Sequence, residues 1–474
     1  MNGSIVRLEG ITIENFKNVT YGELDLNVKK KNYKSNLLGL YGQNGSGKTA
    51  LIDAMNLLKH TLCGVQIPTK FSDYINVNSE FATLTFRFSI SQKNVCDIHH
   101  IIYSFNLGKV ENDVHTNVNE QVNTSVHYKP IIFDEKLSCS TYCNGKMVAP
   151  MKPLVDTSAQ DVVFGPKTKY NVLLGNKIEK DAATDLIVTK KLAKATSRSF
   201  LYSKELFDAI RTYCENDTYK FIIESLVNYG NFSLFVFDTT SNAIISFNAL
   251  PLSFCIKNNS KGAIGNIVIP FDGNGVIPQD AYAIVENVVD NMNIVLNQLI
   301  PGLTIKTKKL GTEMLPDGKL GYRIQMLSLK NKKEIALCYE SEGIKKIVAI
   351  LQLLIVVYNN SSITVAIDEL DAGVFEYLLG EILRIISEKG KGQLLFTSHN
   401  LRPLETLDKC FVAFTTTNPN NRYIRLTNVK ATNNLRDFYY RDITLGEQAE
   451  EVYESTNNHE IALAFKEAGE FCGS

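Results

Sequence analysis

Residues 42–49 read G-Q-N-G-S-G-K-T, and no other stretch narrows the possible folds of this chain as much. An apolar run, Leu37-Leu-Gly-Leu-Tyr41, comes before it, and Ala50, Leu51, Ala54, Met55, Leu57 and Leu58 follow at helical spacing. The spacing predicts a buried strand, a glycine-rich turn and a helix, in that order. Gly42, Gly45 and Gly47 let backbone N–H groups close around phosphate oxygens, with Asn44 and Ser46 completing the turn. The helix N-terminus adds its partial positive charge. Lys48 is placed to reach the β- and γ-phosphates of a nucleotide, both as ligand and as catalytic cation, and the Thr49 hydroxyl to bind Mg²⁺.

A strand-and-acid pattern lies far along the chain. Ile363-Thr-Val-Ala-Ile is apolar and ends in two adjacent carboxylates, Asp368 and Glu369. In nucleotide hydrolysis the first acid holds Mg²⁺, mostly through water, and the second polarises the attacking water. A further buried run, Leu394-Leu-Phe-Thr-Ser, ends in His399, which could meet the γ-phosphate or that water. Ser341 and Gly343 open a helical face made of Ile347, Ile350, Leu351, Leu354 and Ile355. A helix start of this kind is a second anion-binding element, although an ordinary N-cap has the same composition.

The charge balance limits what else the chain can do. Its 474 residues carry 50 Lys+Arg against 50 Asp+Glu, with 44% apolar and 21% charged residues, which excludes wholesale disorder. Zero net charge argues against coating nucleic acid or a membrane through bulk electrostatics. A DNA contact would need a local patch, for which Lys29, Lys30, Lys31 and Lys34, or Lys190, Lys191, Lys194 and Arg198, are the candidates. The N-terminal residues lack a basic segment followed by an apolar one, and the longest apolar run, 344–358, is interrupted by Lys345, Lys346 and Gln352. A cytoplasmic protein without a membrane span is expected. The nine cysteines are scattered and odd in number, the pattern of reduced thiols, and the one close pair, Cys139 and Cys143, lacks further metal ligands nearby in sequence.

Elsewhere, alternation predicts strands from Val6 to Leu26 with a turn at Lys17, and at 83–90, 98–107 and 126–133, with a loop over 112–124. Residues 186–228 read as helical, 230–275 as strand-like, 281–300 as an amphipathic helix, and 304–308 and 322–327 as strands. No internal repeat or sustained coiled-coil heptad is present.

The order of these motifs resembles that of ABC-type ATPases, and of the SMC/RecF/OLD group in particular. The phosphate loop matches the Walker A motif and Ile363 to Glu369 the Walker B motif. Ser341-Glu-Gly-Ile-Lys-Lys looks like a degenerate signature motif, with Ser341 and Gly343 on the signature Ser and second Gly and Glu342 replacing the first Gly. Leu370-Asp371 matches the D-loop, His399 the switch histidine, and Ile13-Glu-Asn-Phe-Lys-Asn18 a phrase of the group's N-terminal strands. The Q-loop glutamine has only weak candidates in Gln66, Gln92 and Gln160.

The resemblance implies an α/β fold: an ABC-type P-loop ATPase head with an N-terminal antiparallel β-subdomain and a mixed α+β insertion. Residues 1–165 and 301–432 would form the head, 166–300 a mainly helical or mixed insertion, and 433–474 a tail that caps the head or binds a partner. It implies ATP and Mg²⁺, with Ser341, Gly343 and Asp371 completing the nucleotide site of a second copy in a head-to-tail dimer or higher oligomer. The compact ATPase subunits of prokaryotic antiphage systems such as OLD, Septu and PARIS are most similar. A sensor or scaffold subunit controlling a separate nuclease or toxin is therefore the first reading. A RecF- or SMC-like DNA repair ATPase is the alternative, and a transporter subunit fits least, given the long interval between Thr49 and Ser341.

Overall fold

The computed structural model describes residues 3–27, 36–93, 95–111, 128–175, 180–258, 261–273, 275–426, 434–446 and 448–472. At its centre lies a six-stranded sheet. In spatial order its strands are Tyr423–Ile424, Val412–Thr415, Asn36–Tyr41, Gln393–Thr397, Thr364–Ile367 and Leu234–Phe237. All neighbours are parallel except the first pair. Side chains alternate across a strand, so its two faces belong to different cores. Leu38, Leu40, Ala366 and Leu395 enter one core, with the helix Lys48–Leu62 and the N-terminal strands. Leu37, Tyr41, Val365, Ile367, Leu394 and Phe396 enter the other, beneath the helices Gln279–Leu299, Glu342–Asn359 and Glu376–Lys389. Burial on both faces explains why these strands read as uninterrupted apolar runs.

A second six-stranded sheet is wholly antiparallel. Its order is Val19–Asp25, Ser4–Phe16, Ala82–Gln92, Asp97–Glu111, Tyr128–Cys143 and Lys146–Asp156. The two sheets are joined by Gln393, which is 1% exposed. Its amide Nε2 donates to the Leu8 carbonyl and its Oε1 accepts from the Leu8 N–H, both at 2.8 Å. The amide thus acts as a peptide unit where a bulge between Leu8 and Gly10 shifts the ladder.

The expected N-terminal antiparallel subdomain is present. The expected 112–124 loop lies outside the described residues, as do Lys29, Lys30, Lys31 and Lys34. Within 186–228 the helices are Lys180–Ala195, Lys204–Tyr213 and Asp217–Phe232, and Lys167–Leu174 adds an earlier one. The stretch read as strand-like over 230–275 also contains the helix Thr239–Ser246, which periodicity does not reveal in eight small and β-branched residues. Asp238 caps it by accepting from the Ser241 N–H at 3.0 Å. Leu234–Phe237, inside the region 166–300, is a strand of the central sheet and pairs with Thr364–Ile367. Among the described residues no helix is long and apolar enough to cross a membrane.

The tail has two parts. Leu435–Leu445 packs into the core on one face of the central sheet through Leu435, Phe438 and Tyr439, with Tyr439 against Phe414 at 4.7 Å between ring centroids. Arg436 pairs with Glu405 at 2.6 Å. Glu454 then donates its N–H to the Gln43 side chain of the phosphate loop at 2.8 Å. The last helix, Asn458–Cys472, exposes every described side chain, including Ile461, Leu463 and Phe465.

Candidate nucleotide site

The phosphate loop folds as its composition requires. Gly42 has φ 151°, and a Cβ there would lie 1.8 Å from the Thr415 hydroxyl. Gly47 caps the helix Lys48–Leu62 in the left-handed region, φ 94°. The loop is also held from outside. The Asn18 amide donates to the Gly45 carbonyl, and the Tyr423 hydroxyl donates to the Gly47 carbonyl at 3.0 Å. Arg422 in turn donates to the Asn18 carbonyl at 2.7 Å. The Ser46 hydroxyl donates to the Gln43 carbonyl at 2.6 Å, bracing the turn from within.

A cavity of about 390 Å³ opens over this loop. The loop and helix contribute Asn44, Gly45, Gly47, Lys48 and Thr49 to its wall, and the facing strand ends contribute Asp368, Glu369, Thr397 and His399. Two motifs more than 300 residues apart in sequence therefore share one cavity. Lys48 Nζ donates to the Gly42 and Gln43 carbonyls at 2.8 Å. Burial pushes its pKa down to about 8, against the pull of Asp368, Asp371 and Glu369.

Thr397 is a residue that sequence reasoning passed over. Its hydroxyl donates to Asp368 Oδ1 at 2.6 Å and accepts from the Glu369 N–H at 2.8 Å, fixing both acids at once. Glu369 has φ 49°, left-handed for a non-glycine residue, and its side chain is exposed to the cavity. Such strain persists where the surroundings enforce it. Asp368 is 1% exposed, and its Oδ2 has no hydrogen-bond partner among the described residues. A buried carboxylate oxygen without a partner, across the cavity from a threonine hydroxyl, is a donor set that suits Mg²⁺. Thr49 and Asp368 would hold it.

The remaining candidates lie elsewhere. Asp371 does not line the cavity: its Oδ2 accepts the His399 and Asn400 N–H groups at 3.0 and 2.8 Å, tying the acidic turn to the histidine strand. Ser341 is exposed and caps the helix Glu342–Asn359, accepting from the Ile344 N–H at 3.4 Å. Gly343 is wedged against the acidic turn, where a Cβ would stand 2.0 Å from the Gly373 carbonyl oxygen. None of Gln66, Gln92 and Gln160 lines the cavity.

Lys346, from the same helix, is 3% exposed and lies behind the acids. Its ammonium donates to Asn242 Oδ1, and the Asn242 amide donates to the Asp368 carbonyl at 3.2 Å. Burial lowers its pKa to about 8, opposed by Glu369, Asp368 and Asp371. Nothing in the sequence around Asn242 marks it for this bridge.

In the basic candidate patch, Lys190 is spent on the Ala159, Val162 and Val163 carbonyls at 2.7, 3.1 and 3.3 Å. Lys194 lies over the Phe133 ring, 5.6 Å from its centroid.

A mostly parallel sheet with a strand–phosphate loop–helix unit, two acids at the end of the next strand but one and an antiparallel sheet beside it is an α/β P-loop arrangement. Residues 10–149 match the family model described as AAA domain. No curated protein sequence matches the chain. Among solved structures, the chain is similar to an Smc head bound to the C-winged helix domain of ScpA, at 11% identity and TM-score 0.40, over 90% of this chain and 98% of that one. It is similar to the SMC head domain from Thermotoga maritima at 12% identity and TM-score 0.36, over 89% and 99%. The recombination mediator protein RecF of the RecFOR pathway matches at 12% identity and TM-score 0.34, over 85% and 95%.

Proposed function

We propose that this chain binds and hydrolyses ATP, and that two copies close head to tail around two nucleotides. One observation carries this reading: Lys48, Thr49, Asp368 and Glu369 line one cavity while Ser341 stands exposed outside it. Lys48 and the loop N–H groups bind and orient the phosphates, and Glu369 takes the proton of the attacking water. His399 lines the same cavity and would orient that water or the γ-phosphate. Mg²⁺, when bound by Thr49 and Asp368, neutralises charge on the phosphate oxygens. Ser341 and Gly343 would face the nucleotide of the other copy, with Asp371 setting the position of the His399 backbone. The test mixes Lys48→Ala protein with Ser341→Arg protein. Each homodimer should be inactive, and the mixture should regain up to one working site per dimer. A mixture no more active than its parts would eliminate the sandwich.

We propose that residues 1–165 and 301–432 form the ATPase head, with the strand Leu234–Phe237 paired to it. We further propose that it serves as sensor or scaffold of a prokaryotic antiphage system and controls a separate effector. The support is the exposed apolar side of the helix Asn458–Cys472, anchored beside the phosphate loop through Glu454. A DNA repair ATPase remains the alternative, and a salt-dependent DNA-binding titration tests it. Ending the chain at residue 456 should leave folding and hydrolysis intact and abolish capture of the neighbouring gene's product. Ending it at residue 432 should also remove the Tyr439–Phe414 contact, leaving little soluble protein. Effector capture that survives the first truncation would rule out the helix as the docking element.

A further inference from the structure

The Cys96 and Cys143 sulfurs lie 2.9 Å apart, although 47 residues separate them in sequence. Cys96 closes the turn between the strands Ala82–Gln92 and Asp97–Glu111, and Cys143 ends the strand Tyr128–Cys143, directly opposite Asp97. Cys96 is exposed and Cys143 half-buried, so both are open to small solutes. Together with Asp97 they form the one group of three potential metal donors among the described residues.

The spacing separates two chemistries. A tetrahedral zinc ion with Zn–S bonds of about 2.3 Å holds two thiolates roughly 3.8 Å apart. A disulfide holds its sulfurs at about 2.05 Å. The observed approach is closer than zinc would set and needs less than ~1 Å of movement to become a bond. We propose that Cys96 and Cys143 are a dithiol that peroxide converts to a disulfide, closing the open end of this strand pair.

The reaction balances in two steps. Cys96 Sγ attacks one peroxide oxygen, the O–O bond breaks, and sulfenic acid and water form. Cys143 Sγ then attacks the Cys96 sulfur, the S–OH bond breaks, and the thiol proton leaves with the hydroxide as a second water. Two thiols are oxidised and one peroxide is reduced. The hydrogen bond to Cys96, and then the Asp97 carboxylate, keep the proton on Cys143, its pKa pushed up to about 12. Cys96, the more exposed of the two, is the thiol that peroxide reaches first.

The test treats the reduced full-length chain with hydrogen peroxide and maps peptides without reductant. A linked peptide containing Cys96 and Cys143 is expected, with two fewer thiols reacting per chain and full recovery in dithiothreitol. Cys96→Ser and Cys143→Ser should each abolish the link, and oxidation should raise the Tm by a few degrees in the parent chain alone. Three results would overturn the proposal: sulfinic acid on Cys96 without a link, a link to Cys139 instead, or tight binding of one zinc ion that shields both thiols.

Discussion

Glu369→Gln is expected to lower the rate of ATP hydrolysis by roughly 10²–10⁴-fold, the usual contribution of a positioned general base, while ATP affinity changes only a few-fold. The amide keeps the shape of the side chain and leaves the Thr397 bond to the Glu369 N–H untouched, so the strained backbone is retained. It cannot take a proton. ATP should accumulate in the closed oligomer, because the step that opens it is removed. Single-turnover hydrolysis and equilibrium ATP binding, measured on the same preparation, separate chemistry from affinity. Turnover near that of the parent would assign the base to another group, with His399 next in line.

Lys48 should show a comparably large effect, and one that depends on pH. Lys48→Ala removes charge-assisted hydrogen bonds worth about 1.5–3 kcal/mol each, so ATP binding should weaken roughly a hundredfold or more. In the parent chain burial lowers the Lys48 pKa to about 8. The charged form is the one that binds phosphate, and it predominates below that value. Bound phosphate favours the charged form and raises the pKa again. Affinity should therefore be level from pH 6 to about 7.5 and fall up to about tenfold per unit above about 8. Calorimetric titrations of ATP in buffers of matched ionic strength would measure this slope. The step should vanish in Lys48→Met; a step of equal size there would mean another group titrates.

The site was legible in sequence wherever chemistry demands fixed spacing. A phosphate loop has to be glycine-rich and contiguous, so residues 42–49 declare themselves, and an apolar strand ending in Asp368-Glu369 is nearly as plain. The supporting residues follow no local rule. Asn18, Thr397 and Asn242 each bridge two groups that only folding brings near. Leu234–Phe237 shows the same limit in the fold. It is a four-residue strand, too short for periodicity to assign to one sheet over another, and only pairing with Thr364–Ile367 reveals its place. The Cys96–Cys143 approach was hidden for the same reason, while the closer sequence pair Cys139 and Cys143 lies along a single strand.

The wedging of Gly343 against the Gly373 carbonyl has a mechanical consequence. Two turns that meet backbone to backbone have no side chain between them to absorb a displacement. Gly373 is four residues beyond Glu369 on the same short segment, and Asp371 between them is bonded to the His399 strand. A displacement of the exposed end of the helix Glu342–Asn359 would therefore reach the segment of Asp368 and Glu369 with little side-chain slack, and Lys346 ties the same helix to the Asp368 carbonyl through Asn242. In the proposed head-to-tail pair, closure on Ser341 would act on the same stiff segment that carries Glu369.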